Sequence, residues 1–212
     1  MLTGHVNQAL EQVRELRRVA MEGRRFRGYS GRARALSGTF ALVTAGILGS
    51  RWYPHNVISH CDGWGTLVLV SVILNYGAVL RWFFMDSESR RDARRLLPIF
   101  DVLPPLLVGC ALTIIFVIRE DFQYLPGVWM CCYGLVNMSQ HTILPESIRA
   151  LGWYYIVCGV ACMMVFNFPF LNPWPMGVVF FIGEWWGGFI FHVNRRENSN
   201  IFDFLAPSGG RG

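Results

Sequence analysis

A carboxylate stands in the middle of an apolar run near the end of this 212-residue chain. The run extends from Trp174 to Val193, and Glu184 lies close to its centre in the stretch GEWWGGFIF. An ionisable side chain within a membrane normally faces the protein interior and finds a partner there. Such a residue can serve a proton- or cation-linked site, although burial disfavours its charged form. The alternative is a neutral acid that hydrogen-bonds an asparagine and fixes the register of two helices.

Other polar side chains interrupt the apolar segments of the chain. The resulting candidate intramembrane site comprises Glu184, Asn75, Asn137, His141, Asp101 and His192. Counting about 1.5 Å per residue along each helix places Asn75 and Glu184 near the same depth. We expect Asn75 and Asn137 to be the hydrogen-bond partners of Glu184. In a proton-linked site, His141 and Asp101 would relay protons to the inner face.

The loop RWYPHNVISHCDGW carries metal-capable side chains. These are His55, His60, Cys61 and Asp62. Their spacing matches no recognised metal motif, so the sequence favours a structural loop over a metal site.

Enzyme motifs are absent from the sequence, including GxSxG, HExxH, CxxC and a phosphate-binding loop. His141 and His192 could in principle ligate haem iron, but neither has a paired histidine on its own helix. Of the six cysteines only Cys61 falls in an outer loop, which argues against a disulfide framework. We therefore expect no catalytic residues, no metal and no cofactor.

The elements that must position these side chains are long apolar segments. Charged residues make up 16% of the chain, against about 25% in a typical soluble domain. Each segment approaches the roughly 20 residues that a membrane-spanning helix needs. The six segments are 35–53, 64–84, 97–118, 124–142, 150–170 and 174–194. Pro104 and Pro105 interrupt the third segment and predict a kink in its helix.

Spacing within these segments predicts shared faces. Tyr133, Asn137 and His141 recur at steps of four and therefore lie on one face of the fourth segment. Gly183 and Gly187 form a GxxxG pair, which predicts close approach of another helix. The second, third, fourth and sixth segments should surround a polar core that opens toward the cytoplasm.

The distribution of arginine predicts the orientation. All 19 basic residues are arginine. All but Arg51 and Arg119 lie on one side of the six segments or, in the case of Arg81, at that end of the second segment. Positive residues accumulate on the cytoplasmic side, so both termini are predicted to be cytoplasmic. Because membrane topology accounts for the excess of arginine, we do not expect the chain to bind nucleic acid. The second inner loop holds a basic group that could contact anionic headgroups or a partner, or that could simply be the topology signal. Its members are Arg90, Arg91, Arg94 and Arg95.

The N-terminal region predicts an amphipathic cytoplasmic helix within residues 4–26. One face collects apolar side chains at steps of three and four. They are Val6, Ala9, Leu10, Val13, Leu16 and Ala20. This arm could lie on anionic lipid, meet a cytoplasmic protein partner, or pack as a cap on its own bundle.

The stretch ELRRVAMEGRRFRGYSGRARALSGTFALVTAG resembles the start of a group of bacterial membrane proteins that have no established activity. In that group an ELR- or EIR-type helix leads through an ME…RF stretch and a Ser-Gly pair into a Gly/Ala-rich first span. The matching residues here are Glu15, Leu16, Arg17, Met21, Glu22, Arg25, Phe26, Ser30, Gly31, Ser37 and Gly38. Such proteins are often encoded beside winged-helix transcriptional regulators, so the resemblance implies a sensing or stress role.

Together these patterns predict an all-α polytopic protein of the bacterial inner membrane. Residues 1–34 would form the cytoplasmic amphipathic helix and basic linker, residues 35–194 the six-helix transmembrane domain, and residues 195–212 the cytoplasmic tail. A non-enzymatic sensing or scaffolding component is the first functional hypothesis. The alternative is a small proton- or cation-linked transporter or channel subunit that uses a polar core around Glu184. The glycine faces also allow a homo-oligomer.

Overall fold

The computed structural model describes residues 11–13, 30–85, 101–140, 147–166 and 169–205. The described residues are helical, with connecting turns and no strand. Residues 11–13 are helical. The bundle consists of six further α-helices, which are α1 Gly31–Leu48, α2 Val57–Met85, α3 Leu103–Ile118, α4 Leu125–Ser139, α5 Ser147–Ala161 and α6 Trp174–Leu205. A short 3₁₀ turn, Phe122–Tyr124, precedes α4, and a π-helical turn, Cys162–Phe166, continues α5. Each of these six helices overlaps one of the six apolar segments, so the predicted all-α class is confirmed.

The helix ends follow local chemistry. Ser30 caps α1, because its hydroxyl accepts a hydrogen bond from the backbone N–H of Ala33 at 3.3 Å. Pro104 and Pro105 lie in the first turn of α3, where a missing N–H is tolerated, so the predicted kink inside a longer helix is wrong. The segment that was predicted to begin at residue 97 has its helix begin only at Leu103.

Two boundaries differ from the sequence-based expectation in ways that matter for the site. Helix α2 begins at Val57 rather than at residue 64, so His60 belongs to its first turn and not to a loop. Helix α6 continues to Leu205, well past the predicted end of its apolar part at Val193.

The helices pack mainly in two pairs. Helix α1 lies against α6, α4 lies against α5, and α5 also contacts α6. Helix α2 packs on the outside of α1, and α3 packs on the outside of α4. Helices α1 and α6 approach closely where Gly31 meets Gly188, since a Cβ added to Gly31 would lie only 2.6 Å from the Gly188 carbonyl oxygen.

Two apolar clusters occupy the two ends of this bundle. One comprises Ala45, Leu48, Trp64, Met130 and Met176. The other comprises Ile148, Leu151, Tyr155, Ile190 and Phe191. Between them lies a set of buried polar side chains.

Three of the described helices are long and apolar enough to cross a membrane, judged by length and composition. The stretches concerned are Val57–Gly77, Ser147–Val165 and Trp174–Val193. Helix α3 is apolar as well but has only 16 residues.

Candidate functional site

The centre of the site is an ion pair between the first and the last described helices of the bundle. Glu184 of α6 is only 3% exposed, and Arg34 of α1 is only 7% exposed. The Arg34 Nε–H donates to Glu184 Oε2 at 3.0 Å, and Arg34 Nη2 donates to Glu184 Oε1 at 3.2 Å. This two-point contact matches the planar fork of guanidinium to the two oxygens of a carboxylate, which is the strong geometry for such a pair.

Two tyrosine hydroxyls complete the shell of the carboxylate. Tyr133 of α4 donates to Glu184 Oε1 at 2.8 Å, and Tyr155 of α5 donates to the same oxygen at 2.9 Å. The two rings meet edge to face, with centroids 4.9 Å apart and planes at 90°. Glu184 is therefore held by donors from three other helices, α1, α4 and α5.

The guanidinium of Arg34 is satisfied on its other side by Asn137. Arg34 Nη2 donates to Asn137 Oδ1, while the Asn137 side-chain amide donates to the Tyr133 carbonyl at 2.9 Å. The charged group also lies 5.8 Å from the ring centroid of Phe191, within the range of a cation–π contact. Arg34, Tyr133, Asn137, Tyr155 and Glu184 are named here the Arg34–Glu184 cluster.

Glycine residues of α6 make room for this cluster. A Cβ on Gly183 would collide with the Tyr155 side chain, and a Cβ on Gly187 would lie 2.5 Å from Arg34 Nε. The GxxxG pair was expected to admit the backbone of another helix. Here it admits Arg34 and Tyr155, which are two of the three side chains that bind Glu184.

A second, smaller hydrogen-bond chain extends the site to α2. The Asn75 side-chain amide donates to Ser37 Oγ at 3.0 Å and to the Ser71 carbonyl at 2.9 Å. Ser37 lies one turn after Arg34 on α1 and donates its own hydroxyl proton to the Ala33 carbonyl at 3.1 Å. Asn75 therefore supports the helix that carries Arg34 and does not contact the carboxylate.

The prediction that Asn75 and Asn137 hydrogen-bond Glu184 is wrong. Neither side chain bonds the carboxylate, because Arg34 and the two tyrosines donate to it instead. Asn137 does belong to the cluster, one bond away through Arg34. Arg34 was not among the predicted site residues, yet its side chain points inward to Glu184.

The remaining predicted site residues lie apart from the cluster or outside the described part of the chain. Asp101 is exposed in the turn before α3, and His192 is exposed on α6. His141 falls outside the described residues, as does the basic group Arg90, Arg91, Arg94 and Arg95.

Tyr133 and Asn137 were placed on one helix face by their spacing, and they do lie together in the cluster. Tyr155 and Arg34 were missed as partners. The signal that could have found Arg34 is its position one turn before Ser37 and Gly38, on the face of α1 that packs against α6.

Burial strengthens the electrostatic attraction between Arg34 and Glu184. Both charges lie in a medium of low effective dielectric, where their attraction is much stronger than in water. Removing one member of such a pair leaves an uncompensated charge and typically destabilises a protein by about 3–5 kcal/mol. Because Glu184 is buried and accepts four hydrogen bonds, three of them at Oε1, it is held as an ion-pair partner.

Within the described residues no three or more histidine, cysteine, aspartate or glutamate side chains come close enough to hold a metal ion. Their six cysteines are all free thiols. Comparison with protein-family models, with curated proteins and with solved structures found no match to this chain.

Proposed function

We propose that this chain is a polytopic bacterial inner-membrane protein with six transmembrane helices and both termini in the cytoplasm. The three long apolar helices support the membrane assignment. In the apolar stretch of α2 only 11% of the residues are buried, so most of its apolar side chains face outward. Contiguous exposed apolar surface of this kind suits lipid. The arginine distribution supports the orientation.

Within that architecture we propose a non-enzymatic component that senses or scaffolds. The observation that carries this choice is the set of four hydrogen bonds that Arg34, Tyr133 and Tyr155 donate to the buried Glu184 carboxylate. A carboxyl that loads and releases protons or cations must be accessible to them, whereas this carboxyl joins four helices. The Arg34–Glu184 cluster is therefore suited to hold the bundle as a rigid platform.

The part of the platform that would meet a partner is the N-terminal arm. Among its described residues, Val13 is 59% exposed although it is apolar. Ser30 caps the start of α1, and Arg34 fixes that helix one turn later. A partner bound to residues 4–26 would thus be tethered to the most firmly held helix of the bundle.

The experiment places a photo-crosslinking amino acid at Val13 in the full-length chain and irradiates living cells. Crosslinks to one cytoplasmic protein, absent when the same group replaces the exposed Trp52, are the expected result. The partner's identity is then checked by loss of its membrane localisation when residues 1–30 are deleted. Crosslinks confined to lipid, with no change in any protein's localisation, would contradict a protein scaffold.

A proton- or cation-linked transporter remains the second candidate, because ionisable residues buried in a membrane are commonly functional. The observation in its favour is that the Arg34–Glu184 pair lies at the meeting point of four helices. Its test is proton flux into liposomes loaded with a pH-sensitive dye. Flux above that of empty liposomes, lost in Glu184→Gln but kept in Glu120→Gln, would favour transport over scaffolding. We expect no such flux.

A further inference from the structure

His60 is a buried titratable side chain that the Arg34–Glu184 cluster does not use. It lies in the first turn of α2 and is fully buried at 0% exposure. An unperturbed imidazole changes its charge between about pH 5 and pH 8, so a buried one can make a structure sensitive to acid. What this histidine holds together is therefore the question.

Aromatic rings from two other segments of the chain enclose the imidazole. Tyr53, in the turn between α1 and α2, meets it edge to face with ring centroids 5.9 Å apart. Phe170, in the connection before α6, lies at 6.2 Å. Trp129 of α4 packs in turn on Phe170, with centroids 6.0 Å apart. His60 thus joins residues 53–60 to residues 169–173, and these two segments are named here the outer joint.

Both ring nitrogens of His60 face backbone carbonyls. Nδ1 lies 3.2 Å from the Asn56 carbonyl oxygen, and the other nitrogen faces the carbonyl of Leu171. A carbonyl oxygen only accepts hydrogen bonds, and a neutral imidazole carries one proton, so the neutral ring can donate to one of these two acceptors at a time. The charged ring could donate to both. Protonation therefore gains one hydrogen bond, which must be weighed against the cost of burying a charge.

The cost of burial is the larger of the two effects. Taking a charge out of water costs more free energy than one additional hydrogen bond returns, unless an opposite charge lies close to it. The described contacts of His60 are carbonyl oxygens and aromatic rings, and they include no carboxylate. A charged His60 is therefore stabilised by leaving the joint and reaching water.

The turn before α2 offers no compensating charge. The His55 ring lies 6.1 Å from the His60 ring, between centroids, and in acid it becomes a charge of the same sign. Tyr53 uses its hydroxyl to donate to the Ser59 carbonyl at 2.7 Å. Arg51 is exposed and lies over the Trp52 ring, 5.0 Å from its centroid. The charges of this turn thus oppose the protonation of His60.

The other two segments offer none either. On α2, Cys61 is a free thiol, and Asp62 is exposed two positions after His60. Positions two apart on a helix do not face each other, so the Asp62 carboxylate does not pair with the ring. The connection before α6 contributes the Phe170 ring and the Leu171 carbonyl, which do not titrate.

We propose that His60 is an acid-sensitive latch, and that its protonation opens the outer joint. In the proposed membrane arrangement this joint lies at the outer face. The stimulus of the proposed sensor is then the proton concentration outside the membrane. That assignment of the stimulus rests on the sensing proposal, whereas the opening of the joint does not.

The test measures backbone amide hydrogen exchange of the full-length protein in detergent micelles at about pH 7.5 and about pH 5, a range that spans the charging of imidazole. Exchange is read by mass spectrometry and corrected for its intrinsic dependence on pH. If the ring titrates near pH 6.5 when open and stays neutral when closed, the opening equilibrium rises by roughly 30-fold in acid. The outer joint should show this rise, and residues 125–139 of α4 should show none.

Three variants assign the effect to His60. In His60→Asn the side-chain amide replaces the Nδ1 donor but gains no charge in acid, so the rise in exchange should disappear. In His55→Gln the like charge is absent, so the rise should be smaller than in the parent. His192→Gln is the control, because His192 is exposed on α6, and it should behave as the parent does. Absence of the rise in the parent, or an equal rise in His60→Asn, would overturn the latch.

Because His60 is buried, His60→Asn could fail to fold, and the parent protein then decides the question by itself. Imidazole nitrogen NMR of histidine-labelled protein follows the charge of His60 across the same range of pH. Its charging should coincide with the rise in exchange. A charged His60 within a joint that stays protected from exchange would overturn the latch.

The stimulus has a separate readout in living cells. The yield of crosslinks from Val13 should change when the medium is acidified, and the change should be absent in His60→Asn. An unchanged yield, with a joint that does open in micelles, would refute acid as the stimulus and leave the latch standing. Absence of a protein crosslink at every pH would instead refute the scaffolding proposal.

Discussion

Arg34 and Glu184 are 150 positions apart in the chain, yet Arg34 Nε lies 3.0 Å from Glu184 Oε2 inside the bundle. The pair joins α1 to α6, and the tyrosines that share Glu184 Oε1 add α4 and α5. One carboxylate thereby connects four of the six described helices. Its contribution to the free energy of unfolding can be measured with variants of the residues that bind it.

Glu184→Gln should destabilise the protein by about 3–5 kcal/mol, because it leaves the Arg34 charge buried without a counter-charge. The measurement is reversible unfolding in mixed micelles of increasing SDS content, followed by circular dichroism. Glu120→Gln is the control, since Glu120 is exposed in the turn after α3. Equal stability of the two variants would mean that the ion pair contributes nothing.

Replacing both members of the pair should be milder than the sum of the single replacements. In Arg34→Met with Glu184→Leu no charge remains to be compensated, so the double variant should recover part of the stability that each single variant loses. For residues in direct contact the coupling is typically about 0.5–3 kcal/mol. A double-mutant cycle in the same unfolding assay measures it. Strict additivity would show that the two side chains do not interact.

Tyr133→Phe and Tyr155→Phe should each destabilise the protein by about 1.5–3 kcal/mol, because each removes a hydrogen bond to a charged acceptor. Tyr124→Phe supplies the comparison. Tyr124 is half-buried, and its ring packs on Phe116 with centroids 5.8 Å apart. Removal of the Tyr124 hydroxyl should change the free energy of unfolding very little. Equal destabilisation in all three variants would contradict the hydrogen bonds from Tyr133 and Tyr155 to Glu184.

Gly187→Ala should destabilise the bundle by about 1–3 kcal/mol through overpacking, because its Cβ would lie 2.5 Å from Arg34 Nε. Gly46→Ala is a matched change in α1 at a position where a Cβ meets nothing within 4 Å. That variant should be neutral or more stable by about 0.5–1 kcal/mol, since alanine favours a helix over glycine. Thermal unfolding of the two variants in one detergent distinguishes them, and a reversed order would contradict the close approach.

The infrared difference spectrum between the parent and Glu184→Gln should contain the bands of an ionised carboxylate at neutral pH, because Arg34 stabilises the charged form at hydrogen-bond distance. Hydrogen exchange of the tyrosine hydroxyls in the same sample should be slow, since Tyr155 is fully buried. A band of the protonated acid, with rapid exchange, would instead support the transport candidate.

The positions of the helices could largely be predicted from the sequence, because long apolar segments and the residues that interrupt them are visible in the local sequence. The first turn of α3 was misjudged for a physical reason. A proline pair is equally compatible with a kink in a helix and with its beginning, and only the position of the first hydrogen bond decides between them.

The polar centre of the bundle could be predicted only in part from the sequence. Depth counting placed Asn75 and Glu184 at similar depths, since each lies far from the ends of its segment. It could not identify their partners, because which helices become neighbours is a non-local property. Arg34 was missed for the same reason. A long side chain one turn inside a helix can reach toward water or toward the core, and the choice depends on whether a carboxylate faces it.

The sequence separation of the ion pair also has a consequence for biosynthesis. The helix that carries Arg34 leaves the ribosome early, and Glu184 follows 150 residues later. At about 5–20 residues per second this interval is roughly 8–30 s. During that time the guanidinium lacks its Glu184 counter-charge, and in the proposed membrane arrangement its head would stay in the aqueous boundary. On that proposal the arrival of α6 draws α1 into its final place, and we expect a truncated chain that lacks α6 to be degraded by membrane proteases.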